Sequence, residues 1–188
     1  MDLPILTTTT APAASRPLLD GIATDLGFVP NFAATIAASP TLLAGFDGLR
    51  RAVGDASFDP VRREVAGLAT GVAAGNAYGI AFHSLVLATL GVPEDDIASM
   101  RRGGEPPDAV LGVVYAFATA LVRDRGAVDH AVVQRALAAG LTEADLLQLV
   151  TECAFGTLVG LVDILADRIP LDDALVPWSW TSPSPAVP

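Results

Sequence analysis

The sequence predicts an all-α protein, a bundle of about eight or nine helices. Three observations lead there. Apolar residues recur three and four positions apart. Capping acids, threonines and prolines open those stretches, and glycines close them. No run of β-branched residues alternates with polar ones over the length of a strand.

Taken in order, Asp20 to Leu26 is the first helical stretch. Pro40 to Val53 follows, with Leu42, Leu43, Phe46, Leu49 and Val53 on one stripe. Asp59-Pro60 is a helix start, a capping acid before proline at the first helical position, and its helix runs through Glu64 to about Ala74. Gly75-Asn76 breaks the chain before a helix that begins near Asn76 or Ala77 and reaches Leu90 and Gly91. Pro93 to Met100 is short, with Glu94, Asp95 and Asp96 at its positive end. Pro106-Pro107-Asp108 opens a helix to about Arg123, and Asp129 to Ala139 makes another, ending at Gly140. Thr142-Glu143-Ala144-Asp145 starts a last long helix that reaches about Arg168 before Pro170.

These helices form one domain over residues 15–170. Residues 1–14, with four consecutive threonines and Ala11-Pro12-Ala13-Ala14, read as a flexible arm. Residues 171–188 read as a non-helical tail, with Pro177-Trp178-Ser179-Trp180 and Ser182-Pro183-Ser184-Pro185. Its two tryptophans are expected either to dock on the body or to cover a neighbouring subunit. A faint internal duplication pairs Ser57-Phe58-Asp59-Pro60 and the helix of Glu64 with Leu141-Thr142-Glu143-Ala144 and the helix of Glu152. Any two capped helices share this much. Gly156 and Gly160, four apart, permit close helix contact.

Composition removes many chemistries. The chain has 188 residues, 52% of them hydrophobic, and a formal charge of −10. All 11 basic residues are arginines, so no lysine can form a Schiff base, anchor pyridoxal phosphate or serve a P-loop. Cys153 is the sole cysteine, which excludes an internal disulfide, a CxxC pair and a multi-cysteine zinc site. The histidines, His83 and His130, are too far apart for HExxH. The acidic balance argues against nucleic acid and anionic membranes as partners. Val65 to Pro93 has no formal charge outside His83, yet glycines, Asn76 and Ser84 interrupt it, so it is not read as a membrane span. With no basic stretch at Met1-Asp2-Leu3-Pro4, a soluble cytoplasmic protein is expected.

One constellation carries chemistry. Glu64 is followed by Asn76 after 12 residues, by Gly79 after 15 and by His83 after 19. Together with Phe28-Val29-Pro30-Asn31-Phe32, Ser39-Pro40-Thr41-Leu42-Leu43 and the run Gly75 to Ser84, this resembles the AhpD-like and carboxymuconolactone decarboxylase superfamily, and most of all its peroxidase-related branch. In the redox members a glutamate precedes a Cys-x-x-Cys pair by 12 residues and a histidine follows the second cysteine by four. The resemblance therefore implies that Glu64 and His83 are the proton-relay residues. Asn76 and Gly79 stand where the two thiols would be, and thiol–disulfide exchange needs both. The resemblance also implies a homo-oligomer, a trimer or hexamer.

The expected site is thus a cofactor-free acid–base kit. Glu64 and His83 would move protons, Asn76 would orient or polarise a substrate, and Gly79 would open volume where a sulfur would stand. Tyr78, Phe82 and Phe46, with Phe155, are candidate walls. Burial and a neighbouring carboxylate tune a histidine for such work. Decarboxylation, isomerisation, dehydration or cyclisation of a small carbonyl compound is within reach, and no cofactor or metal is assigned. The plainer readings are a satisfied core histidine at His83, a pairing of Glu64 with Arg62 or Arg63, and an N-cap role for Asn76. His130 is expected at the surface and Cys153 in a buried, inert position. The rival functions are a non-catalytic ligand-binding or scaffold protein and an alkylhydroperoxidase-like antioxidant protein working through Cys153.

Overall fold

A computed structural model describes the protein over residues 1–54 and 58–181. Ser57, in the first copy of the supposed repeat, and the Ser182–Pro185 segment lie outside the described residues. Nine α-helices are present there: α1 (Arg16–Leu26), α2 (Asn31–Ile36), α3 (Pro40–Gly54), α4 (Pro60–Ala74), α5 (Ala77–Thr89), α6 (Glu94–Arg101), α7 (Ala109–Arg123), α8 (His130–Ala138) and α9 (Glu143–Leu165). A 3-10 helix, Asp173–Trp178, follows, and the described residues contain no strand.

The starts of the central helices are encoded locally. Asp59 accepts from the Arg62 amide, and Asp108 from those of Val110 and Leu111. Thr142 and Asp145 form a capping box at α9. These caps satisfy amides that the first helical turn leaves without partners. Other boundaries are set from afar. Helix α2 was not expected, and its first amide, on Asn31, donates to Asp172 at 3.0 Å. The last helix ends at Leu165, short of Arg168, because the fully buried Asp163 turns the chain back. Its carboxylate accepts from the amides of Ala77 and Ile169 and from the Arg168 guanidinium, while Asp167 and Arg168 take positive φ values of 55° and 79°.

Helix α4 is the axis, packed by α5, α7 and α9. Val65, Leu68 and Ala69 on α4 are fully buried among Val114 and Ala118 of α7, Leu149 of α9 and Ile97 and Met100 of α6. Each such leucine contributes on the order of 2–3 kcal/mol by leaving water. A second core joins α1, α2 and α3 to the other face of α5 and α9 through Leu19, Ile22, Phe32, Leu43, Phe46, Tyr78 and Val159. The functional cavity opens in this second core. Helices α4 and α9 run side by side in the same direction. A Cβ on Gly156 would stand 2.7 Å from Thr70 Cγ2, and one on Gly160 would stand 3.6 Å from Ala74 Cβ.

The described parts of both terminal segments lie against the body. Leu3, Leu6 and Ala11 of the expected arm pack on the second core, and the Leu6 amide donates to Ala34 O at 3.2 Å. The tail is not wholly irregular, since the 3-10 helix includes Pro177. Trp178 and Trp180 dock on the body of their own chain. Arg101 donates to the carbonyls of Trp178 and Ser179, and Trp180 Nε1 donates to Arg101 O at 3.1 Å. Helix α9 is the one described helix long and apolar enough to cross a membrane. It carries the buried carboxyls of Glu152 and Asp163 and packs against α3, α4, α5 and α7.

Candidate active site

The Asp59 cap fixes the phase of α4 so that Glu64 turns inward, and only 4% of it remains exposed. Asn76 caps α5, its Oδ1 accepting from the Gly79 amide at 2.8 Å, and this sets Phe82 and His83 two turns along. The two expected relay residues meet. Glu64 Oε2 and His83 Nδ1 are 2.8 Å apart, and Arg63 Nε donates to Glu64 Oε1 at 3.0 Å. The pairing foreseen with an arginine and the pairing with the histidine are therefore both present, one on each oxygen. Burial raises the Glu64 carboxyl, but the hydrogen bond and charge of His83, followed by those of Arg63, outweigh it and hold the group below its ordinary value.

A carboxylate on Nδ1 fixes a proton there and leaves Nε2 as the working nitrogen. No hydrogen-bond partner of Nε2 occurs among the described residues, and His83 lines a cavity of about 590 Å³. Glu64 does not line it. That volume suits a small organic molecule. Six aromatic rings wall the chamber: Phe28, Phe32, Phe46, Tyr78, Phe82 and Phe155. Phe32 and Phe46 have ring centroids 5.0 Å apart, Phe46 and Phe155 5.4 Å, and Phe82 stands edge-on to His83 at 5.3 Å.

The remaining expected residues all line the cavity, two of them in ways the sequence did not suggest. The place beside Gly79 is filled rather than open, because a Cβ there would lie 2.4 Å from Asn76 Nδ2. The Asn76 amide is itself committed, with Oδ1 on the Gly79 amide and Nδ2 donating to Gly156 O at 3.2 Å. One Nδ2 hydrogen is left over. Tyr78 is a wall whose hydroxyl donates to Asp172 in a short hydrogen bond. Burial, and then that carboxylate, push its phenol well above the usual range.

Besides Phe28 and Phe32, further contributors are not among the expected site residues. Gly67 lies beneath the His83 ring, where a Cβ would come within 2.2 Å of Cε1. Asp172, Asp173, Ala174 and Leu175 of the tail close one side of the chamber. Glu152, noticed only as a mark of duplication, is 4% exposed and accepts from Gln148 Nε2 at 3.2 Å. Burial pushes its carboxyl up to about 7 against the lowering influence of Gln148, His83 and Arg63. Nothing in the spacing of these residues marks them.

Cys153 lies elsewhere, 4% exposed on α9, accepting from Thr70 Oγ1 at 3.3 Å. It borders a groove between α7 and α9, not the chamber of His83. Burial lifts its thiol to about 11, with Thr70 opposing and Glu152 adding, so at neutral pH it is not a thiolate. His130, the first residue of α8, is exposed. Among the described residues no three His, Cys, Asp or Glu side chains gather in a way that could hold a metal.

Comparison with known proteins bears on this geometry. Residues 40–121, which include Glu64 and His83, match the carboxymuconolactone decarboxylase family. A sequence comparison with curated proteins finds no match. The fold is that of an AhpD-core, peroxidase-related protein of Ralstonia eutropha JMP134, at TM-score 0.76 and 20% identity over 92% of each chain. A peroxidase-related protein of Silicibacter sp. TM1040 superposes equally well, at TM-score 0.76 and 18% identity over 94% of this chain and 93% of that one. A cysteine-to-alanine variant of the debrominase Bmp8, in complex with 2,3,4-tribromopyrrole, has TM-score 0.74 and 18% identity over 92% of each chain. The chain thus has the AhpD-like fold, and its residues 40–121, which carry the Glu64–His83 pair, are similar to the carboxymuconolactone decarboxylase family.

Proposed function

We propose that the protein is a cofactor-free acid–base enzyme acting on a small carbonyl compound. The carrying observation is the 2.8 Å contact of Glu64 with His83 Nδ1, with the His83 ring on the wall of an aromatic chamber. In this reading Nε2 takes a proton from the substrate or returns one, and Glu64 orients the ring through Nδ1 and stabilises the imidazolium. The spare Nδ2 hydrogen of Asn76 meets the oxygen on which charge develops. Six aromatic walls favour a flat, largely apolar substrate. The debrominase of like fold holds a halogenated pyrrole, which supports a chamber for a small ring. Isomerisation, decarboxylation, dehydration and cyclisation share the same proton transfers.

The test is turnover of a panel of β-keto acids and polyenones by wild type, His83→Ala and Glu64→Gln. General acid–base help of this kind is worth about 10²–10⁴-fold, and a loss in that range is expected for His83→Ala. Equal turnover by all three proteins would end the proposal. A second reading, ligand binding without turnover, draws on the committed groups of Asn76 and Tyr78, which leave few free polar atoms on the walls. Tight retention of a small molecule that emerges unchanged favours it.

The protein is further proposed to work as a homo-oligomer, a trimer or hexamer, in the cytoplasm. Helix α9 leaves Leu147, Val150, Leu161, Ile164 and Leu165 exposed beside the apolar groove of Leu42, Leu121 and Leu158. A face of that extent is unusual on a monomer.

A further inference from the structure

A reaction that leaves a net proton on the relay, or draws one from it, requires exchange with water while its substrate occupies the chamber. His83 reaches the chamber, but Glu64 does not, and a flat substrate against the aromatic walls would cut His83 off from water on that side. The relay therefore needs a second way out.

Helix α9 supplies a group in the right place. Its register against α4 sets Gly156 beside Thr70 and Gly160 beside Ala74. One turn earlier, Glu152 is level with Ala66 and Gly67, and Gly67 is the residue beneath the His83 ring. Glu152 is buried and absent from the chamber wall. Among the described residues its side-chain hydrogen bond is from Gln148, a turn closer to the start of α9 and partly exposed. Glu152 thus lies in the α4–α9 seam, on the level of the residue beneath His83, with Gln148 leading from it toward the surface.

We infer that Glu152 is the proton outlet of the site, the carboxylate that takes a proton from the Glu64–His83 pair and releases it past Gln148 to water while substrate fills the chamber. The inference rests on the acid–base reading. Uptake of a substrate proton at His83 Nε2 is balanced by departure of the Nδ1 proton through Glu64 to Glu152, and from Glu152 to water. No electrons move, and the reverse sequence reloads the imidazole.

The charges around Glu152 fit this role. Arg63, Glu64 and His83 act on it from α4 and α5, and burial brings its proton affinity to about pH 7, close to where both of its forms are available. The Cys153 thiol beside it stays protonated. On α7, Tyr115 is tied to Met100 O and Arg123 to Asp124. On α3, Asp47 is closed on Arg50 and Arg51. None of these offers a competing outlet.

The chain has only two histidines, which makes the experiment direct. The full-length protein, labelled with ¹³C at glutamate carboxyls and histidine rings, is titrated by NMR as wild type, Glu152→Gln and Gln148→Ala. In wild type one glutamate signal is expected to inflect near pH 7, with a matching displacement of the His83 ring signals. Both disappear in Glu152→Gln. In Gln148→Ala, which spares the buried carboxyl should Glu152→Gln fail to fold, the inflection moves to higher pH. His83 signals that ignore both substitutions would overturn the inference.

Kinetics on a panel substrate complete the test. Glu152→Gln is expected to lower kcat about tenfold, a part of the 10²–10⁴ that acid–base catalysis supplies, with KM unchanged and partial rescue by small buffer acids. A kcat indifferent to Glu152→Gln, in an enzyme that His83→Ala cripples, would sink the outlet alone. Indifference to His83→Ala would sink the acid–base reading itself.

Discussion

The imidazole of His83 lies across the backbone of Gly67, so close that a methyl group there would stand 2.2 Å from Cε1 and 2.6 Å from Nδ1. Both residues sit on regular helices that pack tightly, so the ring, not the backbone, would have to yield. Gly67→Ala should therefore expel the imidazole from Glu64 while leaving α4 intact. The expected outcome is a turnover loss comparable to that of His83→Ala, with far-UV circular dichroism unchanged. Turnover at the wild-type level would show that the stacking has no part in placing the ring.

The coupling of Asn76 to Gly79 gives a second prediction. Gly79→Ala drives a Cβ into the Asn76 amide and should cost about 1–3 kcal/mol, as overpacking does. Asn76→Ala loses the N-cap, worth about 0.5–2 kcal/mol. Adding Asn76→Ala to Gly79→Ala removes the clash, so the double variant should be more stable than the sum of the two losses predicts. Thermal unfolding of the four proteins measures this, and simple additivity would contradict the contact.

Stability should respond to pH through two carboxyls in opposite senses. Glu64 is held below its ordinary 4.5, so its contribution is present above that value and is lost as pH falls through the lower folded one. Glu152 is raised from 4.5 to about 7, so between those values the unfolded chain is ionised while the folded one keeps its proton, and stability falls as pH rises. Glu152→Gln should flatten the dependence across pH 4.5–7 and Glu64→Gln should not. Melting temperatures across that range decide the matter.

Asp172 joins three distant parts of the chain, accepting from the Tyr78 hydroxyl and the Asn31 amide while its neighbours wall the chamber. Asp172→Ala leaves both donors without a partner, at a cost of about 1–3 kcal/mol. A domain of this size should then melt about 2–4 °C lower per kcal/mol lost. Asp172→Asn keeps an acceptor and should fall less. Equal melting of all three would remove Asp172 from the list of structural joints.

If α9 is an assembly face, Leu161→Arg with Leu147→Arg should lower the mass found by light scattering and leave the helical content alone. A monomeric wild type would overturn the assembly outright.

The parts that were legible in the sequence are those written locally. Asp59, Asp108 and Thr142 announce their helices within a turn, and the spacing of Glu64 to His83 survives because both ends lie on helices adjacent in sequence. The capping role of Asn76 is legible from its neighbours, but its bond to Gly156 is not, since that partner is 80 residues away. Helix α2 was missed for the same reason, its first amide being held by Asp172, 141 residues on. The long helix was drawn too far because only the fold shows Asp163 fully buried and turned back on Ile169. Gly67, Glu152 and the tail entered the site only through packing, which composition and period do not encode.

The stretch that matches the family, residues 40–121, contains Glu64, His83, Phe46, Tyr78 and Phe82 but not Phe28, Phe32, Phe155 or the 172–175 segment. The proton pair is thus carried in the middle of the chain and much of its enclosure in the two flanks. Changes before residue 40 or after residue 121, other than at Gln148 and Glu152, can reshape what the pocket admits while the Glu64–His83 contact stays in place, and the excised middle would hold that pair with little room around it.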